Sequence, residues 1–385
     1  MYIISSDTTA LVLLGSLFVC FFIQIFYYLY FYAKPLLYQN KIKKNETTSQ
    51  TIEDFPGVSV IISAKNESRN LTEFLPSILE QDYKNFEVIV VNSGSSDETE
   101  NVLGLFEQKY SNLYKTYIPE NTRNISHKKL ALTVGIKAAK HDILLFTEAN
   151  SRPLSNNWIS SMVRKFDKKT DIILGFSRLN KTGFMSALIS FDNLLTGLKY
   201  LSCAIMKRPY MGTGNNLAYR KDLFFAKKGF SKYLYLQFGE DDLFINESAN
   251  RNNTQVEMSM ESITETNIKS FKIWKNTKIC REVTQSYYKG KEVNLWRFEY
   301  LSRFLFWGLT ITCCILYWNT ILIPAISALL FVLKFLIQYL TVGRSAKMLQ
   351  NRSFSISLLL FDLLQPVFDM YFYFYRTFVI RNDYI

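Results

Sequence analysis

Histidine and cysteine are scarce in this chain of 385 residues. The two histidines, His127 and His141, are too few for the zinc sites and catalytic triads that depend on imidazole groups. The five cysteines show neither metal-ligand spacing nor the paired spacing of a disulfide framework. The sequence also lacks internal repeats. These absences argue against a zinc enzyme, a His-dependent hydrolase and a disulfide-stapled domain.

Acidic residues are outnumbered, with 33 Asp and Glu against 45 Lys and Arg, so the formal net charge is +12. Such a balance can indicate nucleic-acid binding, but that function needs a concentrated basic patch. Here the basic residues are spread along the chain and cluster chiefly beside apolar segments. We therefore expect membrane lipids as partners and no nucleic acid.

An uncharged apolar run covers residues 10–33, long enough to cross a hydrocarbon core of about 30 Å. No Lys or Arg precedes it and it is too long for a cleavable signal peptide. Lys34, Lys41, Lys43 and Lys44 follow directly. By the positive-inside rule, the N-terminus lies outside and the following domain lies in the cytosol.

A second apolar region covers residues 304–342 and is interrupted at Trp318-Asn319. Its length predicts two tightly linked crossings, with Lys334 facing a helix partner. Residues 354–378 are apolar but contain Asp362 and Asp369. This last segment is either a further crossing or an interfacial helix, and its charges fit the interfacial helix better.

Four parts are therefore predicted. They are an N-terminal transmembrane anchor (1–40), a cytosolic domain (41–300), a transmembrane hairpin (301–345) and a C-terminal membrane-associated or interfacial segment (346–385).

Strand and helix signals alternate in the cytosolic part. Strands are predicted at residues 58–62, 86–91, 113–118 and 143–146, and helices at about 70–81, 128–139 and 184–204. This alternation indicates an α/β fold with a mostly parallel sheet, whose ligands bind at the carboxyl ends of the strands.

Two acidic clusters carry the chemistry: Glu148-Ala149-Asn150 after the 143–146 strand, and Glu240-Asp241-Asp242 after Gly239. Carboxylates gathered at strand ends can hold a metal–diphosphate and supply a general base. The alternative is that they are solvated loop acids. Likewise, Lys128 and Lys129 either approach a diphosphate or form a solvated helix start.

The order of motifs resembles a membrane-bound bacterial family 2 glycosyltransferase over roughly residues 56–291. The segments that carry the resemblance are 58–67, 92–99, 128–132, 147–153, 212–219 and 239–244. The resemblance implies a GT-A fold, meaning a Rossmann-like, mostly parallel cytosolic domain flanked by transmembrane helices. It also implies location in the bacterial inner membrane, with the catalytic domain in the cytosol.

The resemblance also implies a set of site residues. Those expected to bind the donor, most often a UDP-sugar, are Ala64, Asn66, Glu67, Asn92, Ser93, Lys128, Glu148 and Asn150. Those expected near the donor sugar or the acceptor are Gly212, Gly214 and Asn216. Asp241 matches the catalytic base and Glu240 lies beside it. Glu148 and Asn150 align with the Asp-x-Asp motif that binds Mg²⁺ or Mn²⁺.

The sequence departs from the family pattern at three places. Asn92-Ser93 replaces the usual Asp-Asp, and Asn150 supplies a neutral oxygen, which lowers the expected metal affinity. Residues 282–285 replace basic and Gln-x-x-Arg-Trp-like features, which argues against processive synthesis. Two hypotheses follow: an inverting, non-processive transferase acting on a lipid-linked or glycan acceptor, or an impaired relative that serves as a sugar-nucleotide-binding or assembly subunit.

Overall fold

The computed structural model describes residues 8–45, 56–119, 126–180, 184–268, 270–354 and 357–378. The strands are β1 (Val58–Ala64), β2 (Phe86–Ser93), β3 (Leu113–Ile118), β4 (Ile143–Phe146), β5 (Ser151–Pro153), β6 (Ile172–Leu174), β7 (Ser177–Leu179), β8 (Leu217–Arg220), β9 (Thr254–Val256) and β10 (Thr264–Thr266).

The α-helices are α1 (Thr8–Phe26), α2 (Lys34–Asn45), α3 (Ser68–Leu79), α4 (Thr99–Lys109), α5 (His127–Ala138), α6 (Trp158–Val163), α7 (Phe184–Ile205), α8 (Lys221–Ala226), α9 (Asp242–Ser248), α10 (Phe271–Thr284), α11 (Glu292–Leu316), α12 (Leu322–Met348) and α13 (Ser357–Phe378). A π-helical segment, Tyr27–Tyr32, joins α1 to α2.

Seven strands form the central sheet in the order β3-β2-β1-β4-β8-β6-β9. The first four are parallel, and β8 runs antiparallel to β4 and β6. Strands β1 and β2 are buried, and most of their residues are apolar and β-branched. This pattern arises because helices cover both faces of the sheet. The mostly parallel α/β domain predicted from the sequence is therefore confirmed.

A second, three-stranded sheet has the order β5-β10-β7 and was not predicted. Each of its strands has three residues, too few to produce a periodic pattern. Arg152 and Arg178 both bind the buried carboxylate of Glu265 across this sheet, at 2.9 and 2.6 Å. The small sheet thereby fixes the chain that follows β4.

Helix α3 begins at Ser68, two residues before the predicted start at Asn70. The Asn70 side chain lies inside the helix and donates to Glu67 at 2.5 Å. The N-cap position is occupied by Glu67, so Asn70 lies within the first turn of the helix and not at its start.

Three helical segments among the described residues are long and apolar enough to cross a membrane: Thr8–Lys44, Glu292–Leu316 and Leu322–Met348. The last two are separated near Trp318-Asn319, where the sequence predicted a break. Helix α11 begins at Glu292, inside the range assigned to the cytosolic domain. The predicted division into four parts stays a prediction.

A buried ionic network joins these helices to α13. Asp362 binds Lys334 directly and lies 3.4 Å from Arg303, whose guanidinium also binds Glu299. Gln338 donates to Asp362 at 2.8 Å. Lys334 thus has the helix partner that the sequence predicted, and α13 is tied to α11 and α12 through Asp362.

We expect Lys334→Met to destabilise the protein, because it leaves a buried carboxylate with one cation fewer. Breaking such a pair costs about 3–5 kcal/mol, and the remaining Arg303 places the effect near the lower end. Thermal unfolding in detergent measures it. Lys347→Met removes an exposed cation from the same helix and should change the unfolding temperature little. Equal unfolding temperatures for the two variants would contradict this role of Lys334.

Candidate active site

Lys128 joins the two acidic clusters. Its ammonium lies 2.7 Å from a carboxylate oxygen of Glu148 and 2.7 Å from one of Glu240. Strand β4 delivers Glu148, α5 supplies Lys128 in its first turn, and the turn before α9 supplies Glu240. Residues far apart in the sequence therefore meet at the carboxyl end of the central sheet.

Two adjoining cavities open at this point. The first, which we call the strand-end cavity, has a volume of about 320 Å³, and its lining includes Glu67, Ser93, Lys128, Glu148 and Asn150. The second, the Asp241 cavity, measures about 430 Å³ and shares Lys128, Glu148 and Asn150 with the first. A cleft of this size and polarity suits a ligand with several phosphate and hydroxyl groups.

Asp241 is held rigidly within the second cavity. One carboxylate oxygen accepts the backbone N–H of Gly214 at 2.7 Å, and the other accepts that of Asp242 at 2.7 Å. Burial raises the pKa of Asp241 to about 7, reinforced by the charges of Glu240 and Asp242 and opposed by Lys128. A carboxylate with such a pKa is suited to act as a general base near neutral pH.

The pKa values of the two neighbouring acids, Glu240 and Asp242, are shifted in opposite directions. Burial acts to raise the pKa of Glu240, but the Lys128 ammonium outweighs it and the pKa is lowered. Burial raises the pKa of Asp242, whose carboxylate accepts hydroxyl bonds from Thr284 and Tyr288 at 2.5 and 2.7 Å. Glu240 is therefore the fixed negative charge, and Asp242 anchors α9 to the end of α10 and to the segment that follows it.

Lys129 positions the loop that leads to the second acidic cluster. Its side chain is fully buried and donates to the carbonyls of Tyr233, Leu236 and Phe238 at 2.5–2.8 Å. Burial lowers the pKa of this amine to about 8. The alternative of a solvated helix start is thus wrong for Lys129. At the loop's end Gly239 has φ +92°, which favours glycine.

The loops after β1 and β2 hold each other in place. Asn66 has φ +55° and its side-chain oxygen accepts the N–H of Ser96 at 2.8 Å. Asn92 is buried and donates to Glu100 at 2.8 Å, so its amide faces α4. Ser93 does line the strand-end cavity, and its buried hydroxyl has no partner among the described residues. Ligand contact by Asn66 and Asn92 stays a prediction.

Ala64 and Gly212 have mainly packing contacts. Ala64 is buried in the core beside β2, while its neighbours Ser63 and Lys65 line the strand-end cavity. A side chain at Gly212 would crowd Leu174, at 3.0 Å. Gly214 holds Asp241 through its amide.

Asn216 bridges Trp158, Phe176 and Ser262 through buried hydrogen bonds of 2.7–3.1 Å. Roles of Gly212 and Asn216 in sugar or acceptor binding stay predictions.

Arg281 is the main site residue that the sequence reasoning missed. It lines the Asp241 cavity together with Thr284, near the Asp241 and Asp242 charges that raise its pKa. It lies one position before the segment 282–285 that was compared with the family pattern. In the sequence, Arg281 is one of many basic residues spread along the chain, so nothing marked it as a site residue.

A divalent cation fits this site only with ligands from the substrate. Among the described residues, no group of three His, Cys, Asp or Glu side chains is placed to hold a metal. Glu148 and Asn150 provide one carboxylate and one amide oxygen, and Lys128 already binds Glu148. Mg²⁺ in proteins often has one or two carboxylate ligands and completes its shell with water and substrate phosphates. Glu148 and Asn150 therefore suit a cation that binds together with a diphosphate.

Comparison with known proteins identifies the domain. Residues 59–224 match the model of the family "Glycosyl transferase family 2". The poly-beta-1,6-N-acetyl-D-glucosamine synthase of Staphylococcus epidermidis is 29% identical over 169 residues, which cover 43% of this chain and 38% of that protein. An uncharacterized glycosyltransferase of Rickettsia prowazekii is 47% identical over 60 residues, covering 16% of this chain and 19% of its own. The alignments thus span well under half of these relatives.

A solved structure has the same fold. The mannosyltransferase of Pyrobaculum calidifontis in complex with GDP-Man and Mn²⁺ superposes with a TM-score of 0.54 at 18% identity, covering 92% of this chain and 99% of that one. Residues 59–224 therefore match the family that the sequence resembles, and the fold is the predicted GT-A fold. The family match ends before Glu240, so the role of Asp241 is argued from geometry.

We expect the rate of glycosyl transfer by this domain to rise with pH through about 7, as Asp241 loses its proton. Glu240→Gln should move this rise to lower pH, because removal of a neighbouring negative charge lowers the pKa of Asp241. The pH dependence of kcat/KM measures both effects. Glu247→Gln removes an acid that lies outside both cavities and should leave the profile in place. A Glu240→Gln profile that stays, or moves to higher pH, would refute this electrostatic coupling.

Proposed function

We propose that this protein transfers a sugar from a nucleoside diphosphate donor to a lipid-linked or glycan acceptor at the inner face of a bacterial membrane. The transfer inverts the configuration at the anomeric carbon and is non-processive. The observation that carries the proposal is the Lys128 junction, where the acids that follow β4 and those that precede α9 meet in one cleft.

The residues of the cleft support each part of the chemistry. The strand-end cavity is the proposed donor site, and Glu67, Ser93 and Lys128 are among the residues that line it. In the reaction, the Asp241 carboxylate takes the proton of an acceptor hydroxyl. The hydroxyl oxygen bonds to the anomeric carbon, and the bond from that carbon to the diphosphate breaks with its electron pair.

Lys128 favours departure of the diphosphate. Its ammonium lies between two carboxylates, where burial opposes the charge but the acids outweigh it and raise the pKa well above the usual value. The group therefore stays positively charged and can neutralise the developing charge of the leaving group. A divalent cation, held by Glu148 and Asn150 with the diphosphate, would add to that neutralisation.

The donor nucleotide is proposed as a UDP-sugar, on the family resemblance stated above. The apolar helices α1, α11 and α12 are proposed to cross the inner membrane, with the glycosyltransferase domain on the cytosolic side. The lysines at positions 34, 41, 43 and 44 support that orientation. The acceptor is then reached from the membrane surface.

We expect Asp241→Asn to lower transfer by a factor of about 10²–10⁴, the usual contribution of a general base. Donor binding, measured by calorimetry on the detergent-solubilised protein, should change little. A panel of UDP- and GDP-sugars, scored by release of the nucleoside diphosphate, identifies the donor. Asp222→Asn makes the same charge change at an exposed position of α8 and should keep full activity. Turnover by Asp241→Asn at the wild-type rate would refute the base assignment.

The same experiment tests the rival class. Wild-type protein that binds a donor tightly but neither hydrolyses nor transfers the sugar would be a sugar-nucleotide-binding subunit. The α4-facing amide of Asn92 and the short metal-ligand set would both weaken catalysis, and this alternative rests on them.

Metal binding is expected to depend on the nucleotide. Titration of Mn²⁺ into the protein alone should give weak binding, and titration with UDP present should give binding at least tenfold tighter, because phosphate oxygens complete the coordination. Glu148→Gln should remove most of that gain. Equal Mn²⁺ affinity with and without UDP would show that the cation site is preformed and that this reasoning is wrong.

A further inference from the structure

One residue of the loop before β8, residues 211–216, has contacts on both sides of the candidate active site. The N–H of Gly214 holds the Asp241 carboxylate at 2.7 Å. The next residue, Asn215, is half-buried and lines the Asp241 cavity together with residues of both acidic clusters. Asn216, in contrast, is only 1% exposed and bonds to core residues. Asn215 is therefore the member of this loop that can relate one cluster to the other.

The Glu148-Ala149-Asn150 segment is a turn that Asn215 holds at both ends. The turn is closed by the N–H of Ser151, which donates to the carbonyl of Glu148 at 2.9 Å. Just before the turn, the Thr147 hydroxyl donates to the backbone carbonyl of Asn215 at 3.2 Å. Just after it, the Ser151 hydroxyl accepts the side-chain amide of Asn215 at 3.2 Å. Asn215 thus sets the position of the turn relative to the adjoining peptide, which holds the proposed base.

A chain of buried hydroxyls extends this contact. Ser151, Thr266 and Ser177 are at most 7% exposed, and their hydroxyl oxygens lie 2.8 and 2.7 Å apart in that order. The Asn215 amide donates to the first two, at 3.2 and 3.1 Å. The Ser151 hydroxyl in turn donates to the side-chain oxygen of Asn150 at 3.3 Å. The hydroxyl chain therefore runs from the small sheet to a predicted ligand of the cation.

The direction of the hydrogen bonds in this chain follows from counting protons. Each hydroxyl has one proton to donate and two lone pairs that accept. Ser151 gives its proton to Asn150. The proton between Ser151 and Thr266 must therefore come from Thr266, and the proton between Thr266 and Ser177 from Ser177. The two protons of the Asn215 amide fill the remaining acceptor places on Ser151 and Thr266. An amide at position 215 completes this order, whereas a carboxylate would compete for the hydroxyl protons.

We propose that Asn215 is a positioning residue of the transfer reaction. Its backbone and side chain hold the 148–150 turn at a fixed distance from Asp241, and its amide keeps the side-chain oxygen of Asn150 in one orientation. The reaction needs the acceptor hydroxyl on Asp241 to line up with the anomeric carbon and with the diphosphate beside Lys128. A displacement of about 1 Å in such an arrangement can cost about 100-fold in rate. The inference rests on the proposed transferase function and adds a residue that acts through its neighbours.

Asn215→Ala removes the amide and keeps the backbone contact. We expect kcat to fall about 10–100-fold and the donor KM to change by less than about threefold, because alignment is lost and donor contact is not. The assay is release of UDP or GDP, from the sugar nucleotide that wild type turns over, by the full chain in bacterial membrane vesicles. Asn101→Ala removes an exposed amide of α4 and should leave both constants unchanged. An unchanged kcat for Asn215→Ala, or a change in KM alone, would overturn the inference.

The isosteric variant Asn215→Asp tests the proton order. Its carboxylate only accepts hydrogen bonds, so the Ser151 hydroxyl should turn toward it and away from Asn150. We expect a loss of kcat at least as large as for Asn215→Ala. A wild-type kcat would refute the proton assignment and the positioning role with it. Should Asn215→Ala fail to fold, this variant decides alone.

The same variant adds a negative charge to the Asp241 cavity. The charged groups that already act on Asp241 are Glu240, Asp242, Lys128 and Arg281. A further carboxylate should move the rise of kcat/KM with pH to higher pH, whereas Asn215→Ala should leave the rise in place. Asn101→Asp makes the same charge change on the surface and should also leave it in place. A profile that Asn215→Asp does not move would contradict the position assigned to Asn215 beside the base.

A double-variant cycle shows whether Asn215 acts through Ser151. Ser151→Ala should lower kcat by itself, because Asn150 loses its donor. Adding Asn215→Ala to Ser151→Ala should then cost much less than it does in the wild-type background, since the shared contact is already gone. Independent, multiplicative losses would mean that Asn215 acts elsewhere and would refute the positioning role.

Amide hydrogen exchange separates this inference from the proposed function. The N–H groups of Ser151 and Asn267 donate to carbonyls of the 148–150 turn at 2.9 Å. In Asn215→Ala they should exchange at least about tenfold faster, while the amides of β2 keep their rates. Mass spectrometry of the protein in detergent micelles measures this without any turnover. Unchanged exchange would overturn the inference whatever the activity.

The two proposals therefore fail in different ways. Wild-type turnover together with an unchanged kcat for Asn215→Ala keeps the transferase and removes the positioning role. Faster exchange in Asn215→Ala, with no turnover by wild type on any donor, removes the transferase and leaves Asn215 holding the turn of a binding site.

Discussion

The contact of Lys128 with Glu148 and Glu240 is the constraint on which the site depends. Three buried or half-buried acids, Glu148, Glu240 and Asp241, meet at one end of the sheet, and their mutual repulsion would separate the loops that carry them. One ammonium at 2.7 Å from two of these carboxylates removes most of that repulsion. Burial and the charges of Glu240 and Asp242 raise the pKa of Asp241, whereas the contact with Lys128 lowers the pKa of Glu240.

A second ammonium joins the α/β domain to the C-terminal helix α13. Lys278 on α10 binds Asp192 on α7 and Asp369 on α13, and Trp274 donates to Asp192 at 3.0 Å. Helix α13 is fixed at its other end by Asp362, through the ionic network with α11 and α12. Buried charges therefore hold α13 at two points, near its start against α11 and α12 and near its middle against α7 and α10.

The sequence predicted what local pattern determines. The strands near residues 58, 86, 113 and 143 were found because β-branched runs bounded by turns are strong signals, and both acidic clusters were recognised. The sequence missed what depends on tertiary contact. For Lys129, the sequence left open whether the side chain is solvated or contacts a ligand. The side chain is in fact buried and donates to three carbonyls of a distant loop, and the residues around position 129 give no sign of this contact. The place of Arg281 in the Asp241 cavity was missed for the same reason, since this cavity is lined by residues from separate parts of the chain.

The family resemblance aligns Glu148 and Asn150 with an Asp-x-Asp motif, and neutral Asn150 reduces the negative charge near Lys128. Two aspartates and a lysine would leave a net negative charge against a diphosphate, which a divalent cation would have to overcome before the donor could bind. With neutral Asn150, the acids around Lys128 are Glu148, Glu240 and Asp241, one carboxylate fewer than an aspartate at position 150 would give. The diphosphate would then meet less repulsion, and a cation held by Glu148 and Asn150 together with the diphosphate would help to neutralise charge on the leaving group. The residues at 148 and 150 would therefore make the site depend more on Lys128 and less on a metal, and they do not alter Asp241, the proposed base.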